Sequence, residues 1–271
     1  MSQMLFIIGS QKSGTTWLRN CVSHVVPISL GHEWYLPDLY HSVSEHVQSF
    51  GQAMSEEERR QAVNSSTQAA WLGILNAALP GALADKSAYP CVPTRNVPVR
   101  NDLHPYAVQI AKEVFPNGKT VVITRDPRAV YNSWLHFRKA LRNRPKNSLS
   151  SAASWWRDRR RVPDPEVFAR NWAIQNARWL DDNPDCFVRY EDLKENFEAS
   201  LRGMFDSVGM PVKPVVLDRI YEAEYEISKG RERQPAIYRK GVIDDWKSYL
   251  TATAQRKIEN AAGRVMARLG Y

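Results

Sequence analysis

The stretch that most constrains this chain is Ile7-Ile8-Gly9-Ser10-Gln11-Lys12-Ser13-Gly14-Thr15-Thr16-Trp17. It reads as an apolar strand, a loop bounded by two glycines with a lysine inside it, and the start of a helix. Glycines let the backbone approach an anion closely, and successive N–H groups ahead of a helix N-terminus hold it. The hydroxyls of Ser13, Thr15 and Thr16 add donors, and Lys12 adds charge. An ordinary crossover, whose glycine only makes the turn, would leave this coincidence of lysine and hydroxyls without a reason.

The spacing Gly9-x-x-x-x-Gly14 followed by Thr15-Thr16 approaches the G-x-x-x-x-G-K-[ST] phosphate loop, but the lysine has moved into the loop and threonine stands in its place. The rest of the chain must say what that displacement means.

At 271 residues and 31.0 kDa, one α/β domain over residues 1–271 is expected. Hydrophobic residues at 43% and charged residues at 24% exclude a disordered or fibrous chain. A net charge of +8 suits an anionic ligand without selecting one. Cys21, Cys91 and Cys186 are odd in number and set among apolar residues, which indicates buried thiols in a reducing, cytoplasmic setting. The apolar run Met4–Ile8 is too short for a signal peptide or membrane anchor, and no run long enough to span a membrane occurs.

Helical spacing of Trp17, Leu18, Cys21, Val22 and Val25 predicts a first helix closed by Pro27. Residues 28–50 lack clean periodicity and read as a loop reaching over the site. Ser55-Glu56-Glu57-Glu58 opens a helix to Leu79, and Leu83-Ala84-Asp85-Lys86-Ser87 reads as a short strand. A helix over Pro105–Phe115, a buried strand over Lys119–Thr124 ending at Arg125, and a helix over Val130–Phe137 follow. The basic segment 138–165, with Trp155-Trp156 amid arginines, reads as a mobile lid or acceptor-site excursion, or as a solvated basic face. A helix from Asp164-Pro165 to Asn183, a strand over Cys186–Tyr190, helices near 197–208 and 214–223, and an amphipathic C-terminal helix complete the chain. Alternating strands and helices indicate a central parallel sheet flanked by helices, with Gly9 and Arg125 leaving adjacent strands at the ligand-binding edge.

Several separated motifs then agree. Gln11-Lys12-Ser13-Gly14-Thr15-Thr16-Trp17 resembles the 5′-phosphosulfate loop of sulfotransferases that use 3′-phosphoadenosine 5′-phosphosulfate (PAPS). Arg125-Asp126-Pro127-Arg128 with Ser133 resembles that family's 3′-phosphate motif. Arg239-Lys240-Gly241 followed by Asp245-Trp246-Lys247 is similar to its C-terminal element, and Arg189-Tyr190-Glu191-Asp192-Leu193 also fits. The ordered set spans nearly the whole chain and implies a P-loop NTPase-like sulfotransferase fold.

The resemblance implies PAPS as donor, PAP as product and no metal. A 3′-phosphate without a metal calls for arginine plus hydroxyl and backbone donors, which Arg125, Ser133, Arg239, Lys240 and Gly241 supply. Trp17, Tyr190 and, on a looser match, Tyr225 correspond to aromatics around adenine, although Trp17 and Tyr190 also fit as core residues. Lys12 is the expected cation at the leaving oxygen, steered by Ser133, and Lys86 resembles the family's second lysine. Many members acting on small molecules carry Lys-Thr-His there; this chain has Lys86-Ser87-Ala88, closer to branches acting on carbohydrate or protein, where a glutamate after the first helix is the base. Glu33 is therefore the first candidate base, with His32 second and His136 third, while Ser133-Trp134-Leu135-His136-Phe137 resembles the cytosolic branch.

A small-molecule, carbohydrate or peptide acceptor is implied, and oligomeric state stays open. Two rival readings exist: a P-loop kinase or NTPase with Asp126 as a magnesium carboxylate, and a nucleic-acid-binding module built on the basic segment. The misplaced lysine opposes the first. No recognised nucleic-acid motif supports the second, so nucleic acid is not an expected partner.

Overall fold

The computed structural model describes residues 3–28, 33, 35–91, 102–142, 163–226 and 242–271. Four parallel strands, β1 (Leu5–Ser10), β2 (Ala84–Tyr89), β3 (Lys119–Thr124) and β4 (Cys186–Arg189), form a sheet of order β2-β1-β3-β4. Around it lie α1 (Thr15–Ser23), α2 (Leu36–Phe50), α3 (Glu56–Ala78), α4 (Ala107–Val114), α5 (Pro127–Arg142), α6 (Pro165–Asp181), α7 (Tyr190–Glu195), α8 (Phe197–Ser207), α9 (Pro214–Ile220), α10 (Trp246–Tyr249) and α11 (Ala252–Arg268).

Strands β1, β2 and β3 are buried on both faces, as a parallel sheet covered by crossover helices requires, while the edge strand β4 is half-buried apart from Val188. Period-two alternation divides their side chains between two cores. Leu5, Ile7, Val121, Ile123 and Val188 pack under α1, α8 and α9. Phe6, Ile8 and Val122 pack on the other side against Trp71 and Leu75 of α3 and Val108 and Ala111 of α4. A third cluster joins α5, α6 and α11 through Val130, Phe168, Trp172 and Ile258.

Because every strand runs the same way, the carboxyl ends gather at one edge, where the chain leaves as Gln11, Pro90, Arg125 and Tyr190. Gly9 sits opposite both Ala88 and Ile123. A Cβ there would lie 2.6 Å from the Ile123 carbonyl oxygen and 2.8 Å from Thr15 Cγ2. Only glycine permits this close junction of β1, β3 and the start of α1.

The capping box at the start of α3 is present in full, Ser55 Oγ accepting from Glu58 N and Glu58 reaching back to Ser55 N. Gly209 takes φ +71 after α8, as its position predicts. Other expectations need correction. The supposed loop 28–50 contains α2: Leu36, Leu39, Tyr40, Val43 and Val47 recur at helical spacing, obscured by intervening Ser and His of low helix propensity, and Pro37 starts the helix. Helix α1 stops at Ser23, before Pro27. Helix α5 begins at Pro127 and runs on to Arg142, so residues 138–142 belong to it rather than to an excursion, and 143–162 lie outside the described residues. Strand β4 ends at Arg189, and Tyr190 opens α7. Cys21 and Cys91 are buried free thiols, whereas Cys186 is half-buried.

Two glycine substitutions should move stability in opposite directions. Gly9→Ala should destabilise by at least about 1–3 kcal/mol, since backbone must shift. Gly203→Ala, on an open face of α8 with nothing within 4 Å of the new carbon, should stabilise by about 0.5–1 kcal/mol. Denaturant unfolding measures both; equal effects would contradict the packing described.

Candidate active site

The loop after β1 is fixed at both ends by backbone. Gln11 N donates to Tyr89 O at 2.8 Å, while Ser13 donates to Ser10 O through its amide at 3.1 Å and its hydroxyl at 2.6 Å. The chain turns through left-handed conformations at Lys12, φ +72, and Gly14, φ +98. At Gly14 a Cβ would meet Tyr190 Cδ2 at 2.5 Å, so the loop packs directly on the residue that leaves β4. A left-handed lysine costs about 1–2 kcal/mol and marks a place where the backbone is held against preference.

The Lys12 ammonium lies 3.6 Å from the centroid of the Phe137 ring. An aromatic face attracts a cation without consuming its N–H donors as a carbonyl would. Burial lowers the Lys12 pKa to about 8; nearby Glu33 opposes this fall and Lys86 adds to it. Lys12, Glu33 and Lys86 therefore share one electrostatic neighbourhood, drawn from the loop, the segment before α2, and β2.

Lys86 is buried on β2, and its ammonium donates to Glu33 Oε1 at 2.5 Å. The other Glu33 oxygen accepts from the Tyr35 hydroxyl at 2.9 Å. Beside Lys86, Asp85 is fully buried, accepts from Ser87 Oγ at 3.2 Å, and is pushed up to about 6 by burial, the Ser87 hydrogen bond opposing. His104 is buried against the Tyr35 and Tyr89 rings, with centroids 5.4 and 4.8 Å away, and is pulled down to about 4 by desolvation, Asp102 opposing.

Arg125 leaves β3 beside the loop. Its guanidinium stacks 4.1 Å from the Tyr190 ring centroid, donates from Nη1 to Lys12 O at 3.4 Å, and donates from Nη2 to Val242 O at 3.3 Å. Its Nε is buried with no hydrogen-bond partner among the described residues. The Val242 contact brings the chain directly after Gly241 against Arg125. Arg239, Lys240 and Gly241 themselves lie outside the described residues, as does His32.

The flanking motif residues brace this corner. Asp126 caps α5, accepting from Arg128 N at 2.8 Å, and holds the Arg128 guanidinium, which also reaches Glu259 at 2.7 Å. Glu191 accepts from Asp126 N at 3.2 Å. Asn132 donates to Asp245 at 3.3 Å, and Arg128 stacks on Trp246 at 4.1 Å, docking α10 beside α5. With both Asp126 oxygens engaged by Arg128, the rival reading loses its magnesium carboxylate. Among the described residues no group of three or more His, Cys, Asp or Glu is placed to hold a metal.

Trp17 is 7% exposed and packs with Tyr190 at 5.6 Å and Tyr225 at 6.4 Å between ring centroids. The three expected aromatics thus form one cluster, largely inside the core. Thr15 is buried and Thr16 half-buried at the N-terminus of α1. Ser133 is half-buried on α5, and Phe137, one turn further along that helix, meets the Lys12 ammonium. His136 packs edge-on against Tyr249 at 5.1 Å. Sequence reasoning missed Tyr35 and Phe137. Phe137 was recoverable, since i and i+4 share a helical face with Ser133; no periodicity signals Tyr35.

Among the described residues no helix is long and apolar enough to cross a membrane. The sequence profile of the sulfotransferase domain family matches residues 2–270. Among curated proteins, mouse sulfotransferase 6B1 is 25% identical over 171 residues, 58% of this chain and 54% of that protein. The omega-hydroxy-beta-dihydromenaquinone-9 sulfotransferase Stf3 of Mycobacterium tuberculosis (strain CDC 1551 / Oshkosh) is 27% identical over 154 residues, 56% of this chain and 39% of that protein. The matched segments therefore span about half or less of these relatives. Among solved structures, mouse sulfotransferase SULT7A1 complexed with PAP matches with TM-score 0.58 and 18% identity over 98% of this chain and 85% of that one. The sulfotransferase domain from the curacin biosynthetic pathway matches with TM-score 0.52 and 16% identity over 100% of this chain and 98% of that one. These likenesses establish the fold, a parallel sheet flanked by helices around a P-loop-like turn. The family profile, covering almost every residue from the strand before the loop to the last helix, establishes that the chain belongs to the sulfotransferase domain family.

Proposed function

We propose that this chain, acting as a single domain, moves a sulfuryl group from PAPS to a hydroxyl or amine acceptor by metal-independent in-line displacement. The observation that carries the reading is the convergence of Lys12, Lys86 and Glu33 at the same sheet edge that presents Arg125. The PAP bound in the SULT7A1 neighbour supports the donor, and the Stf3 relative, named for a hydroxylated menaquinone, supports a hydroxyl acceptor. A small molecule, carbohydrate or peptide remains the acceptor class.

In this reading Gln11, Lys12, Ser13, Gly14, Thr15 and Thr16 hold the 5′-phosphosulfate, with Trp17, Tyr190 and Tyr225 near the adenine. Arg125, Ser133, Arg239, Lys240 and the Gly241 backbone take the 3′-phosphate, whose charge suits the unpartnered Arg125 Nε. The acceptor oxygen attacks sulfur, the bond from sulfur to the 5′-phosphate oxygen breaks, and PAP leaves with the electron pair. Lys12 stabilises the charge on the leaving oxygen, and Lys86 that on the sulfuryl oxygens. Sulfuryl oxygens compete with Glu33 for the Lys86 ammonium, freeing Oε1 to take the acceptor proton. Glu33 is the base in this scheme, ahead of His32 and His136.

Turnover of radiolabelled donor against a panel of acceptors tests the activity. Lys12→Ala should lower kcat by about a hundredfold or more, and Glu33→Gln should do so with PAP affinity retained. Arg125→Ala should mainly weaken PAP, by roughly 1.5–3 kcal/mol. Full turnover in Glu33→Gln would overturn the base assignment.

The lowered Lys12 pKa fixes a direction for pH dependence. Lys12 is cationic below about 8 and neutral above it, so kcat/KM for the donor should fall as pH rises through that value. Lys12→Arg, which stays charged, should remove this limb. A limb of unchanged position in that variant would assign the titration to another group.

A further inference from the structure

We propose that Tyr35 is a positioning residue that aims the Glu33 carboxylate at the acceptor proton, an inference that rests on Glu33 being the base. Tyr35 precedes α2 with φ +28 and ψ 78. A bulky side chain holds positive φ only where its surroundings over-determine it, and such strain gathers at functional sites. Here the ring is gripped on two sides, 5.4 Å from Tyr89 and 5.4 Å from His104, which it meets at 24°. Both neighbours are almost wholly buried. Packing alone would fix a phenylalanine equally well.

The hydroxyl is what packing does not explain. It donates to Glu33 Oε2 at 2.9 Å, with Ala88 O also within 3.3 Å. Tyr35 thereby connects the end of β2 and the carboxylate. Lys86 holds the other Glu33 oxygen. With one donor on each oxygen the carboxylate plane is set, and its remaining lone pairs point in fixed directions. When Lys86 is drawn to the sulfuryl group, Tyr35 is the contact that keeps Glu33 in place. The charged groups facing this pair are Lys12, Lys86, Asp38 and Asp85. Burial and the Glu33 charge hold the phenol far above its ordinary pKa, so it stays a neutral donor throughout. Acid–base catalysts are commonly oriented by a third group in this way.

The test is a double-mutant cycle on the whole chain. Tyr35→Phe keeps the ring and its packing and should leave the thermal midpoint within a few degrees. It should lower kcat by roughly ten- to a hundredfold, the loss of a hydrogen bond to a charged group, while KM for PAPS changes less than about twofold. In a Glu33→Gln background the same substitution should cost nothing further, because its effect passes through Glu33. Unchanged kcat in Tyr35→Phe, or an equal additional loss in the Glu33→Gln background, would overturn this inference and leave the base assignment standing. Full turnover in Glu33→Gln alone would remove the base assignment and this inference together.

Discussion

The close approach of β1 to β3 at Gly9 is the constraint on which the site depends. With no side chain there, the strand reaches the Ile123 carbonyl, and α1 starts directly above it. That contact sets where the loop begins. Parallel register then does the rest, because it brings the ends of β2, β3 and β4 level with the loop: Arg125 and Tyr190 leave directly from β3 and β4, while Lys86 lies within β2 opposite Ile7 and meets Glu33 through its long side chain. A slip of one residue in β2 would turn Lys86 to the opposite face of the sheet.

The charges at that edge are arranged in opposition. Lys12 and Lys86 repel, and Glu33 separates their effects by pairing with one while opposing the burial-driven fall in the pKa of the other. The Phe137 face gives Lys12 a resting place that leaves its donors available. An incoming sulfuryl group would rearrange these contacts, with Arg125 supporting the far end of the donor through a second phosphate. In the proposed reading cations on side chains do what magnesium does for a nucleoside triphosphate, which is why a lysine displaced into the loop belongs with an arginine at the next strand end.

Most of this was legible where local chemistry is distinctive. Strand β3 matches its expected bounds at Lys119–Thr124, the Ser55 capping box is intact, and the strand, loop and helix read around Gly9 and Gly14 are present, whereas nothing in the sequence announced the left-handed turn at Lys12. Helix α2 was hidden because its stripe is broken by residues with weak helix propensity and nearly all of it is half-buried or exposed, so propensity and period disagreed. Helix α5 was read too short because its basic second half looked like solvated loop. At the site, the pairing of Lys86 with Glu33 across 53 positions was not readable from spacing; the motif suggested both residues but not their contact. Tyr35 meets Glu33 through tertiary structure alone, and single-chain pattern carries no trace of that contact, whereas Phe137 could have been read from its i+4 spacing to Ser133.

The claim at the centre of this account is a metal-free pocket for two separated phosphates, one in the loop after β1 and one at Arg125. Titration calorimetry with PAP, adenosine 5′-phosphate and ATP, each with EDTA and with magnesium, addresses it directly. The account predicts tight PAP binding that magnesium does not change, and much weaker binding of adenosine 5′-phosphate, which lacks the 3′-phosphate. Magnesium-dependent binding of ATP with indifference to PAP would contradict it.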